Sequence, residues 1–90
     1  MRKIEIDEYE NFYSVRILGK DEFVIHFRKD GSLRECIAIR CGEYGFYRAE
    51  EFEGVFPNEL TLAKAYFDTY LESKQEDFFK GMTRQYKDEL

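Results

Sequence analysis

The sequence has no tryptophan, one proline, one histidine and two cysteines in 90 residues. Each shortage excludes something. Two cysteines are too few for a disulfide framework. Cys36 and Cys41 stand five residues apart, so on one strand they point to opposite faces and cannot bond to each other. With His26 the only imidazole and no Cys-x-x-Cys, a tetrahedral zinc site has no ligands to draw on; neither metal nor cofactor is expected. No stretch reaches the ~20 apolar residues that span a bilayer, and Met1–Glu8 holds no apolar run of signal-peptide length. Internal repeats, low-complexity tracts and Asn-x-Ser/Thr sequons are absent. The final Lys87-Asp88-Glu89-Leu90 matches a luminal retrieval signal, an address that matters only to a protein already delivered to the lumen. With no delivering segment it reads as coincidence, and the expected setting is the reducing cytoplasm, with no membrane partner.

What the chain does have is charge and large rings. Nineteen acidic and fourteen basic residues give a formal charge of −5, and nine Phe with seven Tyr supply 18% of the sequence. Ninety residues suffice for one domain, 1–90, and not for two. A core this small gains most from side chains that bury the largest area each, which is what aromatic rings do.

The first half alternates with period two, the mark of strands with one buried face. Ile4 and Ile6 oppose Lys3 and Glu5; Tyr13, Val15 and Ile17 oppose Ser14 and Arg16; Phe23, Ile25 and Phe27 oppose Val24, His26 and Arg28. Further on, Ile37, Ile39 and Cys41 oppose Cys36, Ala38 and Arg40. Turn signals separate these runs: Gly19-Lys20-Asp21, Lys29-Asp30-Gly31-Ser32, and Gly42-Glu43-Tyr44-Gly45 before a short strand Phe46–Arg48. Short links between sequential strands imply an antiparallel meander of four to five strands over about 2–48.

After Phe56-Pro57 the period becomes helical, with helix expected over about 59–88. Asn58 can cap it, Glu59 suits its first turn, and Leu60, Ala63, Tyr66, Phe67, Tyr70 and Leu71 form one stripe. Ser73 and Glu76 make a capping box ahead of a rotated stripe of Phe78, Phe79, Met82 and Tyr86. This predicts one bent helix or two short ones packed on the sheet, an α+β two-layer domain. The expected core is Val15, Ile17, Phe23, Ile25, Phe27, Ile37, Ile39, Phe67, Tyr70 and Leu71.

No catalytic residue can be assigned. Walker loop, dinucleotide fingerprint and nucleophile elbow are all missing, and the many carboxylates show no convergent perturbing group. Gly42-x-x-Gly45 resembles the phosphate-clamping loop of KH domains, but its interior, Glu43-Tyr44, is acidic and bulky where phosphates would approach. The expectation is a non-enzymatic protein.

Two surfaces invite a partner. Residues 1–42 balance eight acids with eight bases, whereas 43–78 carry nine acids against Arg48, Lys64 and Lys74. Asp68, Glu72 and Glu76 lie four apart on the helix, a like-charged ridge that costs about 0.3 kcal/mol per pair in an isolated helix. Before it, Glu43, Glu50, Glu51 and Glu53 interleave with Tyr44, Phe46, Tyr47, Phe52 and Phe56. Tyr44 and Tyr47 are the rings expected to stay exposed. Such a surface fits a basic protein or the nucleic-acid-binding site of a larger protein.

The competing surface is the solvent side of the sheet, where alternation places Arg16, His26, Arg28, Arg34 and Arg40 with Ser14 and Ala38 between them. Over roughly 12–71 this arrangement is broadly similar to plant-type AP2 and integrase arm-binding domains, whose sheets read DNA. That likeness implies nucleic acid as the alternative partner, against the negative charge of the whole chain. In size and composition the chain also resembles small accessory proteins of phages and mobile elements, including anti-CRISPR and other host-factor inhibitors. That resemblance implies a regulatory inhibitor acting by contact.

Overall fold

Five strands follow one another in sequence and in space. In the computed structural model residues 2–89 are described for the backbone and residues 2–74 for the side chains. Strands β1 (Lys3–Glu8), β2 (Phe12–Leu18), β3 (Glu22–Arg28), β4 (Leu33–Arg40) and β5 (Glu43–Tyr47) pair antiparallel in the order β1-β2-β3-β4-β5. Helices α1 (Ala49–Val55) and α2 (Pro57–Glu89) pack on one face, giving the expected α+β architecture.

The turns explain the sheet order. At the β3–β4 turn Gly31 adopts φ +91°, and Asp30 accepts bonds from the Ser32 amide (2.8 Å) and hydroxyl (2.6 Å). These bonds hold the Asp30 carboxyl below its ordinary pKa. Between β4 and β5 the loop is two residues, Cys41 at φ +53° and Gly42 at φ +77°, the paired left-handed conformations of a type I′ hairpin. The turn thus closes before Glu43, and Gly42-x-x-Gly45 runs into a strand and is not a loop.

The core is aromatic and lies in two nests. Under α2, Phe67 stacks on Phe27 (4.3 Å, 7°) and meets Tyr13 edge-on (5.1 Å). Under α1, Phe52 and Phe56 gather around Phe23 and Tyr47 at centroid separations of 5.0–6.2 Å. Val15, Ile17 and Ile25 form the sheet floor, and Leu60 and Ala63 continue the α2 stripe, with Tyr70 and Leu71 half-buried at its far end.

Three expectations need correction. On β4 the buried residues are Cys36 and Ala38, while Ile37 and Ile39 lie on the open face. The register fixes this: Ile25 pairs with Cys36 and Phe23 with Ala38, so the small residues sit under the large rings of α1. A bulge at the start of β4, where the register shifts between His26 and Phe27, sets that phase. Second, residues 49–55 form a helix that alternation could not reveal. Third, the helical break falls at Phe56, not at Ser73: Pro57 opens α2 in the first helical position, and the backbone runs on unbroken to Glu89. The side chains of Phe78, Phe79, Met82 and Tyr86 lie outside the described residues, as does Leu90.

Candidate interaction surfaces

The open face of the sheet divides across its width. On the β1–β2 side it is ionic: Arg16 bridges Glu5 and Asp7, and Lys3 also reaches Glu5 (3.3 Å). At its centre the His26 Nδ1 lies 3.0 Å from Glu35, and the Arg34 guanidinium covers the Phe12 ring at 4.7 Å. Arg28 donates to the Leu33 carbonyl (2.6 Å). Toward β5 the face turns apolar, because the pairing sets Arg16, Val24, Ile37 and Phe46 in one row across four strands. Tyr44 and Phe46 end that side at 67% and 73% exposure.

Of the arginine set, Arg16, Arg28 and Arg34 stand on the open face with His26, whereas Arg40 does not. The β4 phase places it on the helix side, 5.1 Å over the Phe56 ring. Ala38 is buried on that same side and cannot serve as a small residue of the open face. Each of these four arginines already engages a carboxylate, a carbonyl or a ring.

The acidic set is scattered along two helices and one strand. Glu50, Glu51 and Glu53 stand exposed on α1, Asp68 and Glu72 on the outer face of α2, and Glu43 on β5 opposite Arg40. None of these six forms an ion pair among the described residues. Asp68 lies eleven residues beyond Pro57, about 16 Å along the helix axis, with Lys64 between. The α1 acids and the α2 ridge thus stand on different helices, with the first three turns of α2 between them along the chain. The backbone of Glu76 continues that helix; its side chain lies outside the described residues.

The two tyrosines also separate. Tyr44 is exposed, but Tyr47 is half-buried against Phe52 and Phe56. Three residues apart on one strand, they had to face opposite ways. The ring that shares the face of Tyr44 is Phe46, and strand parity was the signal that could have found it.

A depression of about 590 Å³ lies beside the β4–β5 turn, lined by Lys20, Asp21, Arg40, Cys41, Glu43 and Tyr44 among others. Its lining holds two cations, Lys20 and Arg40, and two anions, Asp21 and Glu43, and no nucleophile there is hydrogen-bonded to a base. Burial pushes the Cys36 thiol up to about 11, which makes it a core residue and not a nucleophile. Among the described residues no group of three His, Cys, Asp or Glu could hold a metal ion, and no helix is long and apolar enough to cross a membrane. No family model, no curated protein and no solved structure matches this chain.

Proposed function

We propose that the protein is a non-enzymatic interaction module that binds a basic macromolecular partner through its C-terminal half. The partner is a basic protein or the nucleic-acid-binding site of a larger one, and the outcome is regulatory inhibition of the kind small phage and mobile-element proteins exert. The observation carrying this reading is the split in charge pairing. The β1 acids Glu5, Asp7 and Glu8 are all bridged and Glu59 pairs with Arg2, whereas Glu43, Glu50, Glu51, Glu53, Asp68 and Glu72, like Glu10, Asp21, Glu22 and Asp30 in the turns and at the start of β3, have no ion pair among the described residues. Carboxylates held out to solvent attract and orient a cationic partner at long range. A reducing cytoplasm suits the two free thiols, Cys36 and Cys41. A nucleic-acid reading through the sheet has less support, since Arg16, Arg28 and Arg34 are already engaged and share their face with Glu5, Asp7 and Glu35.

Affinity capture from cell extract at low and high salt tests this, with Glu50→Gln/Glu51→Gln and Asp68→Lys/Glu72→Lys variants alongside wild type. Neutralisation is chosen on α1 because its first-turn acids favour the helix N-terminus, and lysine there would cost stability. Basic proteins should be recovered at low salt by wild type and lost from both variants. Equal recovery by all three proteins overturns the proposal. Retardation of duplex DNA by wild type, lost in Arg16→Ala, would transfer the function to the sheet.

A further inference from the structure

We propose that β5 is the strand through which a second copy of this chain docks, extending the sheet across a two-fold axis at Gly45. This goes beyond the acidic-surface reading and stands independently of it. An edge strand presents a row of unpaired N–H and C=O groups, which proteins normally blunt with charge, proline or a covering element. On β5 these devices are reduced to one charge, Glu43, at the end of the strand. Its interior is Tyr-Gly-Phe, it contains no lysine or proline, and α1 turns inward over the helix side of the sheet without lying along the edge. Among the described residues its outer backbone groups have no partner.

The strand is complementary to its own copy. A two-fold normal to the sheet keeps both open faces on one side, so the pairing must centre on a residue and not between two. Gly45 is the midpoint of Glu43–Tyr47, and that centre alone pairs all five residues. It sets Tyr44 opposite the partner's Phe46 on the open face, twice by symmetry, an aromatic cross-strand pair of the favoured kind. Arg48 falls diagonal to the partner's Tyr44, within reach of its ring. On the helix side Glu43 meets the partner's Tyr47, so no like charges are opposed. At the axis Gly45 meets Gly45, where a Cβ would stand 3.0 Å from the Tyr47 ring and that ring would have to give by a few tenths of an ångström.

The area sets the strength. Four rings at the observed exposure present about 400–700 Å² in all, and because their face stays open, pairing covers only the edges that meet. With the paired backbone and flanking residues the buried area stays below the ~1,000 Å² lower bound of specific interfaces, which implies a weak dimer with a dissociation constant roughly micromolar or weaker.

Sedimentation of the full chain from about 1 to 300 µM, a range that brackets such an affinity, should show a monomer–dimer equilibrium. Phe46→Lys should weaken it at least about tenfold, with unchanged melting at concentrations where both proteins are monomers, because the side chain is solvated in the monomer. Raising the concentration should slow amide exchange in β5 and leave β1 unchanged. The register is tested in a Cys41→Ser background by mixing Tyr44→Cys and Phe46→Cys chains under dioxygen with a copper catalyst, which removes two electrons and two protons per disulfide formed. The mixture should cross-link, and either chain alone should not. A monomer throughout the range, a dimer indifferent to Phe46→Lys, or protection appearing in β1 overturns the proposal. A dimer that forms as described while wild type and the acidic-surface variants recover basic proteins equally would instead count only against the acidic-surface reading.

Discussion

Strands β1 and β5 close the two edges of one sheet, and their side chains treat that exposure in opposite ways. In β1, Lys3, Glu5, Asp7 and Glu8 leave only Ile4 and Ile6 apolar, and every one of those charges is bridged. The strand is further tied to the long helix: Lys74 bonds Glu8, and Arg2, just ahead of β1, reaches Glu59 (3.2 Å). In β5 the charge retreats to Glu43, and the exposed positions carry rings. One edge is closed by the protein's own ion pairs, and the other is left available. On the helices the exposed acids Glu50, Glu51, Glu53, Asp68 and Glu72 likewise have no ion pair among the described residues, while Glu59 at the start of α2 is held by Arg2. Surface ion pairs contribute little stability each, so the pairing at β1 matters more for blocking that edge than for holding the fold.

The comparison breaks most completely if the helix layer is lost. Phe67→Ala removes the ring stacked on Phe27 and should cost ~3–5 kcal/mol in denaturant unfolding, a large share of a small domain's stability. A cost below about 1 kcal/mol, the ordinary range for exposed positions, would mean that α2 does not pack as described. The phase of β4 gives the next effect. Ala38→Leu forces a larger side chain under Phe23 and should cost ~1–3 kcal/mol, whereas Ile39→Ala on the open face should cost no more than about 1 kcal/mol. The reverse ranking would restore the simple alternation.

The smallest effect sharpens the β1 edge itself. Hydrogen bonds from Lys74 first, then Lys29, hold the Glu8 carboxyl below its ordinary range, and the same carboxylate raises Lys74. The signs oppose each other. The contribution of Glu8 is present above the ordinary glutamate pKa and disappears as pH falls through its lowered folded value. That of Lys74 is complete below the ordinary lysine pKa and disappears as pH rises through its raised one. Glu8→Gln should therefore lower the melting temperature slightly near neutrality, with the difference from wild type closing at both pH extremes. An unchanged difference at acid pH would show that the pair does not form. Phe46→Ala, at the other edge, should leave monomer stability within about 0.5 kcal/mol.

Much of this arrangement was legible in the sequence because strand periodicity, hairpin chemistry and the α2 stripe agreed. Val15, Ile17, Phe23, Ile25 and Phe27 alternate against polar neighbours, and only one face can be buried. Strand β4 was ambiguous because both of its faces are apolar. Size favoured Ile37 and Ile39, yet the volume under α1 is filled from the helix side by Phe52 and Phe56, leaving room only for Cys36 and Ala38. The bulge that fixes the phase has no signature in one sequence. Helix α1 was hidden for a related reason: seven residues with one buried ring, Phe52, are too few to show a period. The acidic residues were visible as a list, but their division between β5, α1 and α2 depends on where the two helices begin and end.

The central claim, that the molecule meets its partner with the unpaired side and not the ion-paired one, is tested most directly by amide chemical-shift mapping. Labelled protein would be titrated with the most abundant basic protein recovered at low salt. Perturbations should concentrate at Glu50–Glu53 and around Asp68 and Glu72, and should collapse as salt is raised. Shifts centred on Lys3–Glu8 and Arg16, insensitive to salt, would contradict the account.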